Sequence, residues 1–173
     1  MLAKVVNGPM ACVFPLIPNE FRALGKSPSF DTITRDVFPA STIFSISFVL
    51  SVLSGIISAV FHLHSKGIMH GDLYAHNILV NDQGQALLVD FGAATVFGLG
   101  SELSSYAARI EVRAYGYLME DLILQISGNE GDSSSKQLSR LQQLMNKCLN
   151  SEPELRPTLT EVAAEINSIQ QAL

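Results

Sequence analysis

The stretch HGDLYAHNILV, residues 70–80, places His70, Asp72, His76 and Asn77 within eight positions, and a further acid, Asp90, closes the run LLVDFG shortly after. Phosphoryl transfer from a nucleotide asks a protein for a carboxylate that orients the attacking hydroxyl and for ligands that hold magnesium on the phosphates. Magnesium is a hard cation that takes oxygen donors, one or two from side chains and the rest from phosphate and water. Asp72, Asn77 and Asp90 satisfy that demand if the chain between them folds back on itself. Each residue alone is unremarkable, since Asn81 and Asp82 are turn formers and a lone Asp–Asn pair usually marks a loop. Their order and spacing together carry the signal.

The elements that must position these residues follow from periodicity and breakers. NILV (77–80) and QALLVD (85–90) are strand-like runs joined by NDQG, which predicts a β-hairpin that returns Asp90 toward the loop. Residues 42–65 predict a helix, apolar on nearly every face, with Lys66-Gly67 as its stop. Residues 41–61 carry no charge and are long enough to cross a bilayer, but six serines and a glycine dilute them. A buried core helix is the expectation, not a membrane span. ACVFPLIP (11–18) reads as a short buried strand, and NEFRALGKSPSFDTITRDVFPAS as an irregular connector with one or two helical turns. A helix is expected from Glu111 through EVRAYGYLMEDLILQI, then a polar loop over 127–136 and an amphipathic helix over 137–150. PELRP interrupts, and Thr158 or Thr160 caps a last helix ending at Leu173. The layout is mainly α (α+β), with one small hairpin and no internal repeat.

The bulk numbers fit one domain with a real core: 173 residues, 47% hydrophobic and 16% charged. A net charge of −5 and a pI near 5.3 argue against nucleic acid as a partner. Cys12 and Cys148 lie far apart and match no metal or redox spacing, which suits two free thiols in a reducing, cytoplasmic setting. The N-terminus lacks a signal-peptide profile, because Gly8, Pro9, Pro15 and Pro18 break its apolar stretch.

HGDLYAHNILV followed by LLVDFG resembles the catalytic loop, hairpin and DFG segment of the protein-kinase superfamily. By that resemblance Asp72 would be the catalytic base, Asn77 and Asp90 the magnesium ligands, and His70 a structural anchor of the loop. EVRAYGYLMEDLI resembles the kinase helix carrying D-x-x-[SA]-[FY]-G, with Glu111 at the aspartate position. LMNKCLNSEPELRPTLTEVAAEI resembles the closing segment, in which Pro153, Arg156 and Pro157 fit the pattern. The apolar run at 42–64 then falls where the family places a central buried helix. The resemblance implies the C-terminal lobe of a kinase over residues 20–173, preceded by a remnant of the N-terminal lobe and hinge over 1–19. It also implies ATP and Mg2+ as cofactors and a protein as substrate, with Phe14, Leu16, Ile17 and Leu79 in contact with the nucleotide.

Departures from the family pattern bear on activity. No G-x-G-x-x-G is present, and Lys4 is the candidate for the missing strand lysine although no helix separates it from the hinge strand. Twenty residues separate Asp90 from Glu111 with no A-P-E among them, so the activation segment is abbreviated and Arg156 needs another acid, Glu102 or Glu111. Ser101, Ser104, Ser105 and Tyr106 read as exposed loop residues. Gly71 replaces the loop arginine, which removes a partner for a phosphorylated activation segment. Tyr74 and His76 stand where a lysine or arginine often faces the transferring phosphate, and His76 supplies positive charge there only when protonated. HGDL is also the form found in aminoglycoside and choline kinases, and HGDLYAHN with FGAA and EVRAYG looks like bacterial kinases that follow leucine-rich repeats. Three functions are therefore weighed: a serine/threonine protein kinase domain of reduced activity, a non-catalytic kinase-like interaction module, and a small-molecule phosphotransferase.

Overall fold

The computed structural model describes residues 16–31, 35–126 and 132–173. Four helices and five short strands build the described part. They are β1 (Arg22–Ala23), α1 (Ile46–Ser65), β2 (Ile68–Met69), β3 (Ile78–Val80), β4 (Ala86–Leu88), β5 (Thr95–Val96), α2 (Glu102–Ile123), α3 (Asp132–Cys148) and α4 (Leu159–Gln171). Short 3-10 turns sit at Ala75–Asn77 and Pro153–Leu155. The protein is mainly α, with a three-stranded sheet ordered β1-β3-β4 and a separate β2-β5 pair.

α1 is the centre of the core. Ser45 caps it by accepting the Phe48 amide, and Val49, Leu50, Val52, Leu53, Ile56 and Val60 are fully buried along it. It packs against α4, α2 and the hairpin. By length and composition α1 could span a membrane, yet its apolar stripe is already covered by these neighbours. Its end is set by Gly67, whose φ of 71° suits a residue without a Cβ; an added Cβ would lie 2.6 Å from the Phe97 carbonyl oxygen. That close approach lets β5 run back along β2, with Phe97 N donating to Gly67 O at 2.7 Å.

The predicted hairpin is present, with Ile78 opposite Leu88 and Val80 opposite Ala86. Its turn is organised by the buried Asn81, whose Oδ1 accepts the amides of Gln83 and Gln85 while its Nδ2 donates to Gln85 Oε1 at 2.7 Å. Thr158 caps α4 through a capping box with Glu161.

Several boundaries differ from the sequence expectation. Within the connector no described residue forms a helical turn; Arg22 and Ala23 instead pair with β3, and Lys26 bridges Val37. Leu16 to Pro18 carry no strand hydrogen bonding, and the rest of the expected first strand, with Cys12 and Lys4, lies outside the described residues. α2 begins at Glu102, so Ser104, Ser105 and Tyr106 are helical and Ser101 is the N-cap. α3 begins at Asp132, inside the expected polar loop. These starts were hidden because serine-rich first turns look like loops until packing fixes them. Arg156 pairs with neither Glu102 nor Glu111. Its guanidinium donates to the backbone oxygens of Asn150 at 2.8 Å and Arg109 at 3.0 Å, so main-chain carbonyls replace the acid.

Candidate functional site

The loop between β2 and β3 is held from below by one carboxylate. Glu111 is 1% exposed; its Oε2 accepts the His70 amide at 2.7 Å and the His64 Nε2–H at 3.0 Å, and its Oε1 accepts the Gly71 amide at 3.1 Å. Burial alone would push this carboxyl up, but the donors from His64, His70 and Gly71 outweigh it and hold Glu111 below the usual glutamate range. A long α2 makes this possible, because Glu111 sits mid-helix where its side chain enters the core beneath the loop.

His70 ties the loop to the strand that leads to Asp90. Its Nε2 donates to Val89 O at 3.0 Å, which leaves Nδ1 as the acceptor for the Asp72 amide at 3.3 Å. The ring also packs edge-on against Phe91, with centroids 5.1 Å apart. Val89 N donates to Asn77 O at 2.9 Å. The loop and the segment carrying Asp90 are thus cross-linked at two points.

Asn77 Nδ2 donates to Asp72 Oδ2 at 2.8 Å and to Asp72 O at 3.0 Å. Among the described residues this leaves Asp72 Oδ1 and Asn77 Oδ1 unclaimed, the two oxygens that a hydroxyl and a hard cation would use. Asp90 is exposed and holds φ at 57°, a left-handed conformation that Asp tolerates better than most residues. Its Oδ1 accepts the Gly92 amide at 3.0 Å, fixing the turn, and its second oxygen has no hydrogen-bond partner among the described residues. The donor set, one amide oxygen and one carboxylate, fits magnesium rather than a softer metal.

The remaining expected site residues are placed as follows. His76 Nδ1 donates to Asp36 Oδ1 at 2.6 Å, Asp36 also accepts the His76 amide, and the ring stacks on Tyr74. Leu79 is half-buried in β3, paired across the sheet with Ala23. Leu16 is 95% exposed and Ile17 39% exposed. Phe14 lies outside the described residues. Two residues of the site were missed from sequence. Asp36, 8% exposed, gives no local signal in its connector. His64 did leave one, as one of two histidines in the last turn of a helix that carries no acid or other base.

The protein kinase domain family matches residues 26–118, more than half of the chain. The serine/threonine-protein kinase AtPK1/AtPK6 of Arabidopsis thaliana is 46% identical over 59 residues, 34% of this chain and 13% of that protein. A protein described as "Probable serine/threonine-protein kinase" in Dictyostelium discoideum is 36% identical over 106 residues, 60% of this chain and 15% of its own length. The testis-specific serine/threonine-protein kinase 5 of Mus musculus is 45% identical over 65 residues, 37% of this chain and 18% of that protein. The chain belongs to the protein kinase domain family. It spans only 13% to 18% of the length of these relatives.

Proposed function

We propose that this chain is the C-terminal lobe of a protein kinase domain over residues 20–173, with a hinge and N-terminal-lobe remnant before it, working in the reducing cytoplasm on a serine or threonine of a protein. The observation that carries the reading is the direct Asn77–Asp72 hydrogen bond, which among the described residues leaves one oxygen of each residue unclaimed beside the cross-linked Asp90 segment. Asp72 orients the acceptor hydroxyl and takes its proton as the oxygen attacks. Asn77 and Asp90 would hold Mg2+ on the phosphates of ATP, where the metal neutralises charge developing on the transferred group. His70 and Glu111 position the loop and do not touch substrate. The exposed Leu16 and Ile17 are where the nucleotide base would rest, which predicts weak ATP binding by this chain alone.

Calorimetry of the purified chain with ATP and magnesium, repeated with Asp90→Asn, tests the reading. Weak magnesium-dependent binding that Asp90→Asn removes is expected. Phosphate transfer to serine- and threonine-containing polypeptides should fall by about 10²- to 10⁴-fold in Asp72→Asn, the usual worth of a positioned general base. Absence of magnesium-dependent nucleotide binding in the unaltered chain would leave the non-catalytic interaction module as the reading. Labelling of an aminoglycoside or choline but of no polypeptide would replace it with a small-molecule phosphotransferase.

A further inference from the structure

The catalytic loop has two ends, and Glu111 grips the first. It binds the amides of His70 and Gly71, whereas Asn77, 4% exposed, closes the 3-10 turn Ala75–Asn77 further along. The N-cap of that turn is Tyr74, which makes no side-chain cap hydrogen bond. The first amides of the turn therefore need an acceptor from elsewhere. Asp36 supplies it. Its Oδ2 accepts the His76 amide at 3.2 Å and its Oδ1 accepts His76 Nδ1–H at 2.6 Å. The Asp36 side chain has no exposed surface, and among the described residues both of its oxygens are committed to His76. A buried carboxylate is costly without donors, so Asp36 and His76 hold each other in place.

The chain around Asp36 forms a bracket under the same turn. Leu24 N donates to Ile78 O at 2.8 Å and Gly25 N to Ala75 O at 3.3 Å. A Cβ added at Gly25 would lie 3.0 Å from Ala75 Cβ and 3.6 Å from Asp36 Cβ, so these backbones meet with no side chain between them. Lys26 and Val37 exchange both backbone hydrogen bonds at 3.0 Å, which ties the Gly25 stretch to the Asp36 stretch. Arg35 carries the bracket to α2 through ion pairs with Glu120 and Asp121. Asp36 thus stands on a support fixed to both the sheet and a helix.

That support bears on the metal site because the backbone at His76 sets where Asn77 projects. Asn77 Nδ2 is spent on Asp72, and Oδ1 is the oxygen offered to a cation. The Asn77 amide is held only within the turn, donating to Tyr74 O at 3.0 Å. Ligand groups on one ion must be held to within about 0.5 Å, which a lone 3-10 turn does not guarantee.

We propose that Asp36 is a positioning residue for magnesium: acting through His76, it fixes the turn that aims Asn77 Oδ1, and it touches neither metal nor substrate. The inference rests on the phosphotransfer reading above and gives His76 a supporting role in place of a contact with the transferring phosphate.

The test is calorimetry of ATP binding by the full chain across a magnesium series, in Asp36→Ala, Asp36→Asn and the double variant Asp36→Ala/His76→Ala. Asp36→Ala is expected to raise the half-saturating magnesium concentration about tenfold, the lower end of what removing a group behind a metal ligand costs. The double variant removes both partners, which leaves no imidazole buried without its acceptor, and it should show the same rise even if Asp36→Ala does not fold. Asp36→Asn should stay within about twofold of the unaltered chain, because its Oδ1 accepts the His76 amide while its Nδ2 donates to Nδ1 of the other ring tautomer. Side-chain amide signals of Asn77 in proton–nitrogen NMR spectra without nucleotide should shift in both alanine variants and stay in place in Asp36→Asn. An unchanged magnesium requirement in the alanine variants overturns the proposal even where their urea midpoints fall, since a merely structural residue would behave that way. A rise in Asp36→Asn as large as in Asp36→Ala also overturns it. If the unaltered chain shows no magnesium-dependent ATP binding, the proposed function falls and the Asn77 signals decide this inference: a shift supports the positioning, and unmoved signals remove it.

Discussion

Replacement of Glu111 by Gln tests whether a single buried carboxylate organises the loop. In the native protein three donors converge on Glu111: the amides of His70 and Gly71 and Nε2–H of His64. Gln keeps one acceptor oxygen, removes the charge, and turns an NH2 group toward a donor that then has no partner. A buried donor left unsatisfied costs about 1–3 kcal/mol, and hydrogen bonds to a charged group contribute about 1.5–3 kcal/mol each. Glu111→Gln should therefore destabilise the fold by about 3 kcal/mol, a large share of the roughly 5–15 kcal/mol that keeps a domain folded. Urea unfolding followed by circular dichroism at neutral pH measures this directly. The pH dependence has a defined sign. Because the folded carboxyl sits below the usual glutamate range, its contribution is complete above the ordinary glutamate value and is lost as pH falls through the lower, folded value. Unaltered protein should lose this increment on acidification, and the Gln variant should lack it at every pH. Amide exchange at His70 and Gly71 should also accelerate in the variant. A loss of stability below about 1 kcal/mol, with both amides still protected, would refute the view that Glu111 holds the loop.

Two further outcomes follow from local geometry. Gly71 has φ of 81°, and a Cβ added there would lie 2.7 Å from Ala93 O; Gly71→Ala and Gly71→Arg should each cost about 2 kcal/mol or more in urea unfolding, from the left-handed backbone plus the clash. Restoring the family's arginine therefore should not raise activity, and a stable, more active Gly71→Arg protein would contradict the geometry. Burial pushes the Cys148 thiol up to about 12, so peptide-level mass spectrometry after iodoacetamide at mildly alkaline pH should find it unlabelled in native protein and labelled in urea. Rapid native labelling at Cys148 would mean that α3 does not pack as described.

Much of the fold was legible because its signals are local. The hairpin announced itself through NDQG between two strand-like runs, and the structure adds only that Asn81 is the residue bonding the turn together. α1 was legible through apolar density and the Lys66-Gly67 stop, and α4 through a threonine cap at Thr158 or Thr160, of which the structure uses Thr158 and adds Glu161 as its capping-box partner. The starts of α2 and α3 were not, since Ser-rich first turns have weak propensity and form there because the following turns pack. The partner of Arg156 was misjudged for a related reason: an acid is a sequence feature, whereas a backbone carbonyl turned toward a guanidinium is a feature of the fold alone.

The sequence by itself determined the chemistry available: Asp72, Asn77 and Asp90 in the order and spacing of a phosphoryl-transfer loop, with a glycine in place of its arginine. Residue type and separation along one chain suffice for that, because a hairpin's reach is short and its return is fixed by its turn. Only the tertiary structure decided how the loop is held and what lies beside it. Glu111 reaches His70 across 41 positions and Asp36 reaches His76 across 40, and no local pattern encodes pairings at that range.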